Sequence, residues 1–392
     1  MPLPLYLLAL AVFAMGTSEF MLAGLLPDIA ADLDVSVGTA GSLTSAFAVG
    51  MIAGAPLLAA LARDLPARAS FLGCLLLFAV AHAVGAATTS FPALLATRIA
   101  AALANAGFLA VALTTATALV PPDRKGRAMA VLLSGTTVAT IAGVPGGSAL
   151  GTLLGWRAAF WAVALLCLPA ALGVLTGLRG SGEPARLLSE DGTAPPALRS
   201  ELGRLLRPRL ALTMLLGALV NAATFGSFTF LAPVVTVTAG LDDLWITTVL
   251  MLFGAGSLTG VTLAGRLSDR HPGLVLAVGG PLLPVGWLAL ATLAGKPAAL
   301  FTLVFLQGTL SFAVGATLIA RILYEAAAGA PVMAGAYATA ALNTGAAAGP
   351  LVAATALGTA AAERGPFFAS GVLALAALAL HTASIRRGEP PR

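Results

Sequence analysis

The chain has 392 residues, of which 59% are hydrophobic and only 9% are charged, and its formal net charge at pH 7 is +5. Soluble domains carry roughly 25% charged residues, so this composition excludes an ordinary soluble protein and indicates one that spans a membrane. The positive charges are spread along the chain and do not form one basic domain, which argues against a nucleic-acid partner.

Twelve long apolar stretches follow one another along the chain. A helix needs about 20 mostly apolar residues to cross a hydrocarbon core of about 30 Å, so each stretch predicts one membrane-spanning helix. The first lacks a basic leading segment and is too long for a signal peptide, so it is interpreted as an uncleaved membrane helix. The predicted helices are 4–26, 38–61, 70–89, 92–119, 128–153, 157–178, 210–236, 244–264, 273–294, 298–321, 332–358 and 366–385.

The basic residues are distributed asymmetrically between these helices. Seventeen of the 21 Lys and Arg residues lie in alternate gaps, where cytoplasmic loops of membrane proteins collect them. The other gaps contain Arg157, Lys296 and Arg364, and Arg98 lies inside helix 4. The pattern predicts a multi-pass protein of the inner, cytoplasmic membrane with both termini in the cytoplasm.

A long gap divides the chain into two halves. Residues 179–209 are rich in Pro, Gly, Ser and charge and are interpreted as a cytoplasmic linker. The linker separates an N-terminal six-helix bundle, 1–178, from a C-terminal six-helix bundle with a short tail, 210–392. Residues 61–66 and 267–272 are weakly similar and occupy equivalent places in the two halves. We therefore predict an all-α membrane protein built from two pseudo-symmetric repeats.

Two opposite charges lie inside predicted helices. Glu19 in helix 1 and Arg98 in helix 4 are each roughly 10 Å below the outer surface at a rise of 1.5 Å per residue. A charge inside the membrane is costly and is a functional candidate by default. Loss of water favours the neutral form of Glu19 and a nearby Arg98 favours its charged form, a balance that suits a proton carrier. The alternative is a fixed structural ion pair.

Polar amides and histidines are the other candidates within the helices. The amides can bond to a neighbouring helix or, where they face a central cavity, contact a substrate. His82 and His381 have no acidic neighbours in sequence and are interpreted as packing or interfacial residues. The four amides are Asn105, Asn221, Gln307 and Asn343.

Small residues recur at four-residue spacing on four of the helices, which places each set on one helix face. Such faces let helices approach closely, either as general packing or as the contacts between the two halves. Pro145 interrupts the set in helix 5 and predicts a kinked, tightly packed helix. The sets include Gly135, Ala139, Gly143, Gly147 and Gly151 in helix 5, Gly50 and Gly54 in helix 2, Gly256 and Gly260 in helix 8, and Gly345 and Gly349 in helix 11.

Several of these residues resemble the drug:proton antiporter branch of the major facilitator superfamily. Gly265, Asp269 and Arg270 match the loop signature of the superfamily, and Arg98 matches an arginine of helix 4 that is linked to proton transfer. The helix-5 antiporter motif is matched by Gly135, Gly143, Pro145 and Gly147. Residues 16–20 and 24–30 are typical of the sub-branch of arabinose-type and chloramphenicol exporters. Further stretches, at 102–108, 132–137, 217–223 and 337–343, resemble the chloramphenicol exporters more closely.

The resemblance implies a major facilitator fold and proton-coupled efflux of chloramphenicol, which confers antibiotic resistance. It implies the proton-motive force as the energy source, with no cofactor and no metal, and a monomer whose partners are the drug, protons and the lipid bilayer. Export of sugars, purines or several drugs is the alternative. The sequence has no serine-hydrolase, zinc-protease or nucleotide-binding motif, so an enzyme is not expected.

Overall fold

Every regular element that the computed structural model describes is helical, and twelve helices are long and apolar enough to cross a membrane. These two findings confirm the predicted all-α membrane fold. Most of the predicted linker lies outside the described residues, as do Asp269 and Arg270. The described ranges are 2–61, 67–121, 125–177, 208–268, 273–327 and 334–386.

The helices lie where the apolar stretches predict them, and helices 1, 8 and 10 run several residues longer. In the first half the bounds are Leu3–Phe20 with Leu22–Asp32 for helix 1, Val37–Leu61, Ala67–Ala87, Phe91–Ala118, Lys125–Val138 continued to Leu154 for helix 5, and Trp156–Gly177. In the second half they are Pro208–Thr229 with Leu231–Pro233 for helix 7, Leu244–Ser268, Leu274–Leu293, Pro297–Ala327, Ala334–Leu357 and Gly365–Arg386.

The chain divides into two compact units by its internal contacts. The first comprises Met1–Val35 and Ala46–Ala194, and the second comprises Ser36–Ser45 and Pro195–Arg392. The first unit thus contains helices 1 to 6 apart from the first residues of helix 2, which cluster with helices 7 to 12.

Helix 5 is irregular at the place where Pro145 predicts a kink. A π-helical segment, Ala139–Gly143, comes directly before the α-helical segment Val144–Leu154. Proline has no backbone N–H and cannot continue the hydrogen-bond ladder of the preceding turn, so an α-helix accommodates it by a local change of this kind.

The glycine faces pack helices of the same unit against one another. A Cβ added to any of these glycines would meet atoms of a neighbouring helix within van der Waals distance, so a larger residue would force the helices apart. The pairs are helix 5 with helix 1 and helix 2 with helix 4 in the first unit, and helix 11 with helix 7 and helix 8 with helix 10 in the second.

These contacts are of the general-packing kind. Gly50 lies against Ala102, and Gly256 lies against Phe305, each within its own unit. The other alternative, that the small faces form the contacts between the two halves, stays a prediction. The pairing also recurs at equivalent positions in the two units, which strengthens the internal repeat seen in the sequence.

A polar cluster connects neighbouring ends of helices 1, 3 and 6. Arg157 forms an ion pair with Asp32 and donates a hydrogen bond to the Thr88 carbonyl at 3.1 Å. Its guanidinium lies 4.4 Å from the centre of the Trp156 ring, and the Trp156 indole N–H donates to Asp32 at 3.3 Å. Arg157, one of the few basic residues outside the Arg-rich gaps, therefore has a structural role.

Replacing Arg157 with Ala is expected to lower the free energy of unfolding by no more than about 1 kcal/mol, because exposed ion pairs are screened by water and salt. The side chains of Arg157 and Asp32 are 33% and 41% exposed, which places the pair in this class. Thermal unfolding of the detergent-solubilised protein at low and high salt measures the effect. A loss of several kcal/mol would contradict this assignment and show that the fold depends on the cluster.

Candidate functional site

Arg98 lies inside helix 4 with only 1% of its surface exposed. Its Nη1 donates to the Ser18 hydroxyl at 2.7 Å, and its Nη2 donates to the Ser18 backbone carbonyl at 3.0 Å. The guanidinium also lies 4.5 Å from the centre of the Phe47 ring in helix 2. Because two of its nitrogens bond to one residue and its face packs on an aromatic ring, the guanidinium is held in one orientation.

Ser18 occupies the point where helix 1 is interrupted. The first segment of this helix ends at Phe20, and the last hydrogen bond of the segment runs from the Met21 N–H to the Thr17 carbonyl. The carbonyl groups in the last turn of a helix have no backbone partner within that helix. The Ser18 carbonyl, which follows that of Thr17, is one of these groups. Arg98 therefore caps the broken end of helix 1 with a charge-assisted hydrogen bond.

Glu19 follows directly after Ser18 and is half-buried. Because Arg98 bonds to Ser18, the residue directly before Glu19, the structure places the two charges that the sequence puts at one depth in the same region. The Nε atom of Arg98 is buried and has no hydrogen-bond partner among the described residues. A carboxyl group beside a buried cation, at a helix break, has the chemistry to bind and release a proton.

His82 of helix 3 belongs to the same network, and the sequence interpretation missed it. Its Nε2 lies 2.6 Å from the Ser18 hydroxyl oxygen and its Nδ1 lies 2.8 Å from the Phe78 carbonyl oxygen. A lone histidine in an apolar helix was the signal that the sequence offered. Its polar partner comes from helix 1, and nothing in the spacing of these residues indicates that the two helices meet at this point.

The four amides have different surroundings. Asn221 donates to the Leu342 carbonyl of helix 11 at 2.7 Å, and Gln307 donates to the Leu283 carbonyl of helix 9 at 3.0 Å. These two bonds realise the helix-packing alternative, whereas Asn343 donates at 3.0 Å to the Thr339 carbonyl of its own helix.

Asn105 is buried in helix 4, and no hydrogen bond of its carboxamide is found within the described part of the chain. It lies seven residues after Arg98, which places both residues on one face of the helix, two turns apart. Contacts of the four amides with a substrate stay predictions.

The predicted motifs are described only in part. Gly265 lies in helix 8 with open space around it, while Asp269 and Arg270 are outside the described residues. In helix 5, Gly143 lies against Thr17 and Gly147 against Met21. The glycines of the helix-5 motif therefore flank the residues around Glu19 and allow helix 5 to lie directly on the break in helix 1.

Comparison with known sequences agrees with this architecture. The family model of the Major Facilitator Superfamily matches residues 8–341. The chain is 72% identical over 378 residues to a chloramphenicol resistance protein of Streptomyces lividans, covering 96% of this chain and 95% of that protein. It is 32% identical over 346 residues to the inner membrane transport protein YdhP of Escherichia coli, covering 88% of this chain and 86% of that protein.

Solved structures show the same fold at low sequence identity. A bacterial homologue of the human lysosomal transporter Spinster aligns with a TM-score of 0.77 at 16% identity, over 98% of this chain and 96% of its own. The human organic anion transporter MFSD10 aligns with a TM-score of 0.65 at 22% identity, over 96% of this chain and 97% of its own. The chain is therefore a multi-pass cell-membrane protein that belongs to the major facilitator superfamily of transporters.

Proposed function

We propose that this protein exports chloramphenicol across the cytoplasmic membrane in exchange for protons and so confers resistance to the drug. The observation that carries the proposal is the 72% identity, over nearly the whole of both chains, to a chloramphenicol resistance protein.

The half-buried Glu19 and the buried Arg98 support the coupling to protons. Chloramphenicol is neutral, so each proton exchanged for one drug molecule moves one net charge into the cell. A membrane potential of 100 mV supplies about 2.3 kcal/mol per charge, and a tenfold gradient costs about 1.36 kcal/mol. One proton per drug molecule therefore sustains roughly a 50-fold drug gradient, which is enough for resistance at moderate doses.

The proposed mechanism is alternating access, in which a midplane site opens to one side of the membrane at a time. The drug binds from the cytoplasm or the inner leaflet and leaves on the outside. A proton then reaches Glu19 from the outside and favours the return to the inward-open state. The transporter acts as a monomer in the bilayer. It needs no cofactor, because the proton-motive force supplies the energy.

The accumulation of labelled chloramphenicol in pump-deficient cells tests this function. In cells that express the protein, the drug concentration inside is expected to be up to roughly 50-fold lower than outside. A protonophore is expected to raise the drug content of these cells to that of empty-vector cells. Accumulation equal to the empty-vector level, with the protein confirmed in the membrane, would remove chloramphenicol as the substrate. A panel of sugars, purines and other drugs would then identify the alternative.

A further inference from the structure

His82 is a buried polar residue that lies beside the proposed coupling pair and has no part in the mechanism above. Only 1% of its surface is exposed. Its ring packs between two aromatic rings, with centroid distances of 4.3 Å to Phe78 and 5.7 Å to Phe160. A polar ring enclosed in this way is costly unless its nitrogens are hydrogen-bonded, and both nitrogens of His82 have partners.

The partners of His82 determine the direction of every hydrogen bond in the network. The Phe78 carbonyl oxygen can only accept, so the Nδ1 atom of His82 carries a proton. In the neutral ring, which places no second positive charge beside Arg98, Nε2 is then an acceptor. Ser18 therefore donates its hydroxyl proton to Nε2, and the hydroxyl oxygen presents a lone pair to the Nη1 atom of Arg98.

Few polar contacts among the described residues hold the guanidinium of Arg98 in place. Its two hydrogen bonds both go to Ser18, its Nε has no partner among the described residues, and its face packs on Phe47. If the Ser18 hydroxyl turns away, the guanidinium loses one of these two bonds and is free to shift relative to the adjacent Glu19. The acceptor nitrogen of His82 is what prevents that rotation.

We infer that His82 is a positioning residue for proton coupling, which acts through the Ser18 hydroxyl to hold the Arg98 guanidinium beside Glu19. It contacts neither drug nor transported proton. The inference rests on the proposed function of Glu19 and Arg98 and names a residue that this function needs. Its distinctive consequence is that loss of the acceptor nitrogen weakens coupling to the proton gradient more than it weakens movement of the drug.

Two substitutions separate the acceptor nitrogen from the packing of the ring. His82→Phe keeps an aromatic ring between Phe78 and Phe160 but removes both nitrogens. His82→Gln loses the ring but returns an acceptor oxygen at about the reach of Nε2. A third substitution, Ser18→Ala, removes the hydroxyl itself. Because Ser18 and His82 act through one hydrogen bond, the His82→Phe/Ser18→Ala double variant is expected to lose no more proton-driven transport than the more impaired single variant.

Two transport modes in proteoliposomes give the readout. Uptake driven by an imposed pH gradient requires proton coupling, whereas exchange of labelled for unlabelled chloramphenicol requires only binding and the movement of the loaded transporter. His82→Phe is expected to lower the driven mode by about tenfold, the factor that corresponds to the loss of one buried hydrogen bond, and to leave exchange within about twofold. His82→Gln is expected to restore most of the driven transport.

Each other result overturns the inference. Equal losses in the two modes would make His82 a packing residue, and full driven transport by His82→Phe would make its nitrogens dispensable. A His82→Gln variant as poor as His82→Phe would show that the acceptor is not what matters. Wild-type protein that exchanges the drug but does not respond to the pH gradient would instead overturn proton coupling itself, and the role of His82 with it.

Discussion

Replacing Glu19 with Gln is expected to abolish uphill drug export while sparing drug binding and exchange. The amide has nearly the shape of the protonated carboxyl group but can neither take up nor release a proton. Without that step no charge moves with the drug, and the roughly 50-fold gradient that one proton sustains at 100 mV falls to equilibrium. The variant is then a facilitator that equilibrates chloramphenicol across the membrane.

Asp28→Asn is the matched control, because Asp28 is an exposed acid on the same helix nine residues further along. This variant is expected to export the drug as the wild type does, whereas Glu19→Gln gives no accumulation against a gradient in proteoliposomes or cells. Equilibrium binding of labelled drug to both purified variants establishes that the site is intact. Full uphill export by Glu19→Gln would show that another group carries the proton.

Replacing Gly135 with Val is expected to destabilise the protein by about 3 kcal/mol, the upper end of the usual cost of overpacking. A Cβ at Gly135 would meet the backbone carbonyl of Ala9 and would lie 3.0 Å from the backbone nitrogen of Phe13. Because backbone atoms in a helix cannot turn aside as a side chain can, helices 5 and 1 must separate. The separation also disturbs the first helix close to Ser18 and Glu19, so export is expected to fall as well.

Gly146 provides the control for this change. It lies in the same helix, is exposed, and has no atom within 4 Å of the position where a Cβ would lie. Val and Gly differ in intrinsic helix propensity by only a few tenths of a kcal/mol, so Gly146→Val is expected to unfold at the wild-type temperature. Equal destabilisation of the two variants would mean that helix 5 needs the backbone freedom of glycine, and that close approach to helix 1 is not the reason for Gly135.

Hydropathy alone predicted the twelve membrane-spanning helices, because such a helix must satisfy its own backbone and its length is set by the bilayer. The irregularity of helix 5 was predictable too, since Pro145 removes a backbone donor. The interruption of helix 1 at Met21 was not. Methionine favours a helix, and the charge-assisted bond from Arg98 that caps this break comes from a helix 80 residues away along the chain.

The sequence predicted the level of the candidate site along the helices, but it did not predict the contacts between the side chains there. Counting residues along helices 1 and 4 predicts that Glu19 and Arg98 lie at one level, and the structure joins Arg98 to Ser18, the residue before Glu19. Which side chain binds the guanidinium depends on how each helix is rotated about its axis, which packing decides. For that reason Ser18 and His82 were missed, and Gln307 could not be distinguished in advance as a residue that bonds to helix 9.

The glycine contacts have a consequence for how a substitution acts. Helix 1 pairs with helix 5 as helix 7 does with helix 11, and helix 2 pairs with helix 4 as helix 8 does with helix 10, each pair within one half. A larger residue at one of these glycines therefore loosens a helix pair of its own half first. Damage of this kind begins locally, inside one six-helix unit.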